Sequence, residues 1–77
     1  MEQRPEYPTQ EHLDNWFGYH APSEDQAKSY EALRSYGKVL AYAILALCPS
    51  SADRTDAIRK VREAVMIAND SIACGGK

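Results

Sequence analysis

The sequence predicts an all-α protein in which an antiparallel helical hairpin follows a short N-terminal helix. Two long stretches repeat apolar residues at alternating steps of three and four, which is the spacing of one helix face. A Pro–Ser–Ser corner separates them, and so short a connection brings two long helices back antiparallel. The 77 residues therefore predict one domain, with an N-terminal arm at residues 1–22 and the hairpin at residues 23–77.

The N-terminal arm is interrupted by prolines and contains a candidate short helix. Thr9 is a suitable N-cap for a helix over Gln10 to Phe17. The GYHAP sequence from Gly18 to Pro22 then predicts a turn. The apolar side of this short helix would be formed by Leu13, Trp16 and Phe17.

The first hairpin helix has clear start and stop signals. Ser23 followed by Gln26 is a capping box. Pro49 disfavours the helical conformation of Cys48, so the helix is expected to end there. Its predicted heptad seam consists of Tyr30, Leu33, Gly37, Leu40, Ile44 and Leu47.

The second hairpin helix begins after the corner, with Ser50 or Ser51 as N-cap and Asp53 in the first turn. Gly75 and Gly76 are expected to end it. Its apolar stripe consists of Ile58, Val61, Val65, Ala68 and Ile72.

The two helices carry more apolar side chains than one seam buries. The arm supplies too few large side chains to cover the remainder, so the sequence predicts a symmetric homo-oligomer. The side chains outside the seam are Val39, Tyr42, Ala43, Ala46, Met66 and Ile67.

Composition excludes several classes of function. A net charge of −2 argues against binding to long nucleic acid or to an anionic membrane. The longest apolar run, from Val39 to Cys48, is about half as long as a bilayer-spanning helix. The N-terminus lacks the order of a signal peptide, so the expected compartment is the cytosol, with Cys48 and Cys74 as reduced thiols. We expect no metal and no cofactor.

A two-helix protomer has no concave pocket of its own, which argues against an enzyme. The second hairpin helix is rich in basic side chains. In a symmetric oligomer, copies of these side chains would surround a compact anion. The candidates for such a phosphate site are Arg54, Arg59 and Arg62. The alternative is a solvated face on which Asp56 pairs with Lys60 and Glu63 pairs with Arg59.

The aromatic residues all precede the second hairpin helix and comprise five tyrosines, one tryptophan and one phenylalanine. Aromatic rings stack on nucleobases, and nearby guanidinium groups bind phosphates. Most of these rings are expected to pack in a core or an interface. Tyr19 stands apart because it lies in the GYHAP turn, where a side chain stays open to a ligand.

The stretch from Trp16 to Ala73 resembles the small helical-hairpin domain of phage anti-CBASS and anti-Thoeris proteins. These sponges sequester the cyclic nucleotide messengers of bacterial immunity. The most specific parts of the likeness are YHAP, the R-x-x-G pattern from Arg34 to Gly37, CPSSADR, and EAVMIAN leading to SIA. The chain looks like the compact, hairpin-only form.

The resemblance implies a symmetric hexamer that binds its ligand intact in pockets between chains. In the family, a tyrosine in the turn stacks on a base, and a cation three residues before a glycine contacts a phosphate. The corresponding residues here are Tyr19 for the tyrosine, Arg34 for the cation and Gly37 for the glycine. The family cation is often lysine, and arginine favours bidentate contact instead. The full candidate ligand-binding set is Tyr19, Arg34, Gly37, Tyr7, His20 and Tyr30. A second family site, around a threefold axis, would use Arg54, Arg59 and Arg62.

The sequence thus predicts a non-catalytic sponge acting in the host bacterial cytoplasm. Its ligand would be a cyclic dinucleotide, a cyclic trinucleotide or a cyclic ADP-ribose isomer. One alternative is a helical adaptor or anti-defence protein acting by direct protein contact through Tyr42, Met66 and Ile67. Another is a DNA-binding factor that uses the basic patch, against which the acids interleaved in the second helix argue.

Overall fold

The computed structural model describes residues 7–77 as three α-helices. They are α1 (Gln10–Trp16), α2 (Glu24–Leu47) and α3 (Ala52–Ala73), with no strand in the described part of the chain. The predicted all-α hairpin with a short preceding helix is confirmed. The first six residues of the predicted N-terminal arm lie outside the described residues.

Each helix begins at a side-chain cap that the sequence signalled. Ser23 Oγ accepts a hydrogen bond from the Gln26 amide at 3.1 Å, and Gln26 Oε1 accepts one from the Ser23 amide at 3.0 Å. Ser51 Oγ accepts from the Arg54 amide at 3.1 Å, which decides between the two candidate serines. Thr9 caps α1 as predicted and also forms a capping box with His12, whose Nδ1 accepts from the Thr9 amide at 3.1 Å.

The helix ends follow from proline and glycine. Cys48, before Pro49, has an extended backbone and ends α2. Gly75 and Gly76 follow α3 with φ of +67° and +75°, a region that glycine adopts without a steric penalty. The Gly76 amide donates to the Ser71 carbonyl at 2.9 Å, which satisfies one of the last carbonyls of the helix.

The seam between α2 and α3 is half-buried and departs from the predicted heptad in two places. Leu40 and Leu47 are 51% and 83% exposed, so their assignment to the seam is wrong, and Ala41 is half-buried instead. An α-helix has 3.6 residues per turn, so a strict heptad drifts away from its partner unless the helices supercoil. The α3 stripe was predicted correctly, because all of its members are half-buried: Ile58, Val61, Val65, Ala68 and Ile72.

Gly37 allows α2 and α3 to approach closely. A Cβ atom at Gly37 would lie 2.6 Å from Val65 Cγ2 and 3.8 Å from Val61 Cγ1. Valine is stiff in a helix, so its methyl groups cannot easily turn aside. The glycine that the resemblance assigns to a ligand site therefore also has a packing role.

The protomer has no core, since none of residues 7–77 is buried. Five of the six residues predicted outside the seam are exposed, including Val39 and Ile67 at 67% each, whereas Ala43 is half-buried. From Val39 to Leu47, the α2 sequence is apolar on every side of the helix, a pattern typical of a helix that is covered all round. α3 covers one of those sides.

Among residues 7–77, no helix combines the length and the apolar character that crossing a bilayer demands.

The contact between Gly37 and Val65 predicts that Gly37→Ala changes the free energy of unfolding in a direction that depends on the side chain at position 65. Gly37→Ala is expected to lower the free energy of unfolding by about 1 kcal/mol, because overpacking outweighs the gain in helix propensity. In a Val65→Ala background the added methyl has room, and the same change should stabilise by about 1 kcal/mol. Urea denaturation at one fixed protein concentration measures both effects. Equal effects in the two backgrounds would contradict the contact.

Candidate functional site

A groove of about 330 Å³ lies between α2 and α3, and we call it the hairpin groove. Arg34, Gly37 and Lys38 line it from α2, while Arg62 and Asn69 line it from α3. The remaining lining residues are apolar: Ala41, Ile58, Val61, Val65 and Met66.

The hairpin groove is cationic because helical spacing places its basic residues on facing sides of the hairpin. Arg34 and Lys38 are four residues apart, so they share a face of α2. Arg62 reaches the groove from the opposite helix. No acidic residue lines the groove, so three positive charges surround a small space. Such an arrangement favours phosphate-sized anions.

Ion pairing leaves the groove arginines uncompensated. Within the described part of the chain the ion pair is Lys60 Nζ to Glu63 Oε2 at 3.6 Å, so the expected pairings of Asp56 with Lys60 and of Glu63 with Arg59 were both wrong. Neither Arg34 nor Arg62 has an ion-pair partner among residues 7–77. Lys38 Nζ lies 5.9 Å from the Tyr42 ring centroid, a cation–π distance.

The three cations proposed for a second phosphate site lie in different surroundings in the protomer. Arg54 Nη1 donates to the carbonyls of Leu45 at 3.3 Å and Cys48 at 3.4 Å, so it caps the C-terminal end of α2. Arg59 is exposed, and Arg62 lines the hairpin groove. Their meeting around an axis stays a prediction.

The turn that carries Tyr19 is held by polar contacts to the end of α3. Tyr19 itself is 89% exposed. His20 Nε2 lies 2.6 Å from the Asn15 carbonyl, and because a carbonyl only accepts, the ring nitrogen donates. Asn15 Nδ2 in turn donates to the Cys74 carbonyl at 3.1 Å, and Trp16 Nε1 donates to the Lys77 carbonyl at 2.8 Å.

The six candidate ligand-binding residues do not share a cavity within one protomer. Arg34 and Gly37 line the hairpin groove, while His20 lines a separate cavity beside α1. Tyr7 lies at the other side of α1, with its ring centroid 6.0 Å from that of Trp16. Tyr30 is half-buried in the helix seam. Their meeting in one ligand pocket stays a prediction.

Sequence reasoning missed three members of the hairpin groove. Lys38 belonged to no motif, Asn69 ended the EAVMIAN motif without being given a role, and Arg62 was assigned to another site. Asn69 Oδ1 is buried and accepts no hydrogen bond from the described residues. The spacing from Arg62 to Asn69 is two helical turns, which places both on one side of α3, but nothing in that spacing identified α2 as the opposite wall.

The described residues contain no cluster of three or more metal-ligating side chains, and Cys48 and Cys74 are unpaired. Cys74, His12 and His20 line one cavity, but His12 Nδ1 contacts the Thr9 amide, and the thiol and His20 Nε2 both contact a backbone carbonyl rather than each other. Cys74 Sγ and His20 Nε2 share the Asn15 carbonyl, at 3.8 and 2.6 Å. Neither histidine is therefore placed to accept a proton from the thiol.

A helical hairpin with a cationic groove and uncovered apolar faces defines a small ligand-binding protein. The family model for the Acb2/Tad1 hairpin domain matches residues 9–73. The chain belongs to this family, the phage anti-CBASS and anti-Thoeris sponges, which are binding proteins rather than enzymes. The resemblance drawn from the sequence is confirmed. No curated protein and no solved structure matches the chain.

The contact between Asn15 and Cys74 predicts a local effect on α1. Asn15→Asp keeps the side-chain shape but replaces the donor with a carboxylate oxygen facing a carbonyl. A seven-residue helix is marginal without tertiary contacts, so amide exchange within α1 should accelerate about tenfold, the equivalent of one lost hydrogen bond. Hydrogen exchange by mass spectrometry measures this.

Asp14→Asn is the matched control, since Asp14 is the exposed neighbour on the same short helix. It should leave exchange in α1 unchanged. Exchange in α2 and α3 should change little in either variant. Equal exchange in Asn15→Asp and the wild type would show that this bond does not hold α1.

Proposed function

We propose that the protein is a non-catalytic sponge for cyclic nucleotide second messengers. It acts in the host bacterial cytoplasm and blocks anti-phage immune signalling by sequestering the messenger. The observation that carries the proposal is the hairpin groove, in which Arg34 has no ion-pair partner among residues 7–77. The chain also matches the Acb2/Tad1 hairpin domain over residues 9–73. Cyclic dinucleotides are the first ligand class, ahead of cyclic trinucleotides and cyclic ADP-ribose isomers.

The chemistry of a cyclic dinucleotide suits a symmetric pocket. It carries two bases and two phosphates, so two copies of the chain would supply two Tyr19 rings and two Arg34 guanidinium groups. Tyr19 is available for stacking because it is 89% exposed. Each base stack contributes roughly 1–3 kcal/mol, and paired stacks with paired arginines are sufficient for nanomolar affinity.

Self-association is part of the proposal, because one protomer leaves its apolar residues and its site residues uncovered. No residue of the described chain is buried, and α2 is apolar all round from Val39 to Leu47. Burial of such a surface needs other copies of the chain. We infer a symmetric homo-oligomer, a hexamer by family resemblance, with pockets between copies. In it, Arg54, Arg59 and Arg62 would form the second site for cyclic trinucleotides.

Binding without catalysis fits the arrangement of reactive groups. In the cavity lined by a cysteine and two histidines, Cys74 Sγ and His20 Nε2 both contact the Asn15 carbonyl, and His12 Nδ1 contacts Thr9. The hairpin groove contains cations and an amide but no carboxylate or histidine to serve as a base.

A protein-binding adaptor is the second candidate function. The exposed side chains of Tyr42, Met66 and Ile67, at 62%, 57% and 67%, favour it. Light scattering separates the two proposals, because a sponge is expected as a multiple of the protomer mass at micromolar concentration. A stable, well-folded monomer that binds no cyclic nucleotide would favour the adaptor instead.

Substitutions at the pocket should weaken ligand binding and leave the oligomer intact. Tyr19→Ala removes a base stack and is expected to weaken cyclic dinucleotide binding by about 5- to 150-fold. Arg34→Ala removes a phosphate contact, with a loss of tenfold or more. Isothermal titration calorimetry measures the affinities, and light scattering checks the oligomer.

Tyr19→Phe keeps the ring and should bind nearly as well as the wild type. Lys28→Ala removes an exposed cation from α2 outside the hairpin groove and should have no effect. The ligand released from the heated complex should be chemically intact. Unchanged affinity in both Tyr19→Ala and Arg34→Ala would overturn the assignment of this pocket.

A further inference from the structure

We propose that Arg34 and Arg62 act as one phosphate-binding pair, each holding the same ligand phosphate from its own wall of the hairpin groove. The inference rests on the proposed function and changes it at one residue, because Arg62 is there assigned to a second site with Arg54 and Arg59. The ligand class is the phosphodiester of a cyclic nucleotide, whose two non-bridging oxygens share one negative charge and can each accept hydrogen bonds from a guanidinium group.

The first support is the shared groove. Arg34 comes from α2 and Arg62 from α3, and both line the same space of about 330 Å³. The close approach at Gly37, where a Cβ would lie 2.6 Å from Val65 Cγ2, holds the two walls near each other. Lys38, one turn beyond Arg34, adds a third cation to the same wall.

The second support is the charge of the groove. Like charges that line one groove repel one another, and no acid among the lining residues offsets these three cations. Arg34 and Arg62 have no ion-pair partner among residues 7–77. Arg54, in contrast, already donates to two carbonyls at the end of α2. A phosphate placed between the two groove arginines relieves the repulsion.

The third support is Asn69, which lines the groove from the same helix as Arg62. Its Oδ1 is buried and has no donor among the described residues. A buried acceptor without a partner is destabilising, and polar groups of this kind concentrate at binding sites. A guanidinium group drawn inward by a phosphate, or an N–H of a nucleobase, would satisfy it.

A double-mutant cycle tests the pair. Arg34→Ala, Arg62→Ala and the double variant are titrated with a cyclic dinucleotide by calorimetry. Each single change is expected to weaken binding tenfold or more. The double variant should lose clearly less than the product of the two single losses, because both groups hold one phosphate. Effects that multiply, or an Arg62→Ala variant that binds like the wild type, would overturn the pair.

Lys60→Ala is the matched control, since Lys60 is a neighbouring cation of α3 that pairs with Glu63 and does not line the groove. It should bind as the wild type does. Arg62→Lys keeps the charge but loses the bidentate geometry, so an intermediate affinity is expected. Light scattering and far-UV circular dichroism identify any variant that fails to fold. If Arg62→Ala fails to fold, Arg62→Gln replaces it in the cycle.

Inorganic pyrophosphate separates the failure of this inference from the failure of the proposed function. In the wild type it should shift the NMR amide resonances of Gly37 and Asn69, and Arg62→Ala should abolish the shifts. If these shifts occur but no cyclic nucleotide binds, the phosphate-binding pair is supported and the sponge function is rejected. If a cyclic nucleotide binds equally well to the wild type and to Arg62→Ala, the sponge function is supported and the pair is rejected. Binding of neither probe would reject both.

Discussion

The contact between Gly37 and Val65 sets how closely α2 and α3 can approach each other. A side chain at position 37 would enter the space of a stiff valine methyl, with only 2.6 Å between the carbon atoms. The bare backbone at this position therefore lets two long helices run close together. The seam and the hairpin groove both depend on that spacing, because Arg34 and Arg62 line one space only if the walls are near. A glycine that a sequence comparison associates with ligand binding can thus act through helix packing.

The same two-helix hairpin explains why ligand binding and self-association are proposed together. Two helices cover one side of each other, and nothing in residues 7–77 is buried. The residues proposed for the ligand are divided among the hairpin groove, the turn at Tyr19 and the far side of α1. Neighbouring copies that cover the apolar faces are also what would bring such residues together. The match to the Acb2/Tad1 hairpin domain supports the proposal that such an assembly captures a small anionic messenger.

The sequence-based predictions succeeded where the interacting residues are close in the chain and failed where the contact is between two helices. Ser23 and Pro49 mark the ends of α2 because capping and proline sterics act within a few residues. The heptad placed Leu40 in the seam, but the seam follows Ala41. A seam depends on how one helix crosses another, and small drifts in helical phase accumulate along its length. His12 was missed as a capping partner because histidine seldom takes the place of glutamate or glutamine there.

The sequence by itself determined three helices, their caps, the hairpin and the family, since these rest on local chemistry and on the order of short motifs. The tertiary structure alone decided which basic residues line the same groove. Arg54, Arg59 and Arg62 are close in the chain, yet Arg54 caps the end of α2 and Arg62 lines a groove with Arg34. The reason is the register between α2 and α3, which the packing of Gly37 against Val65 sets and which no spacing within a single helix contains.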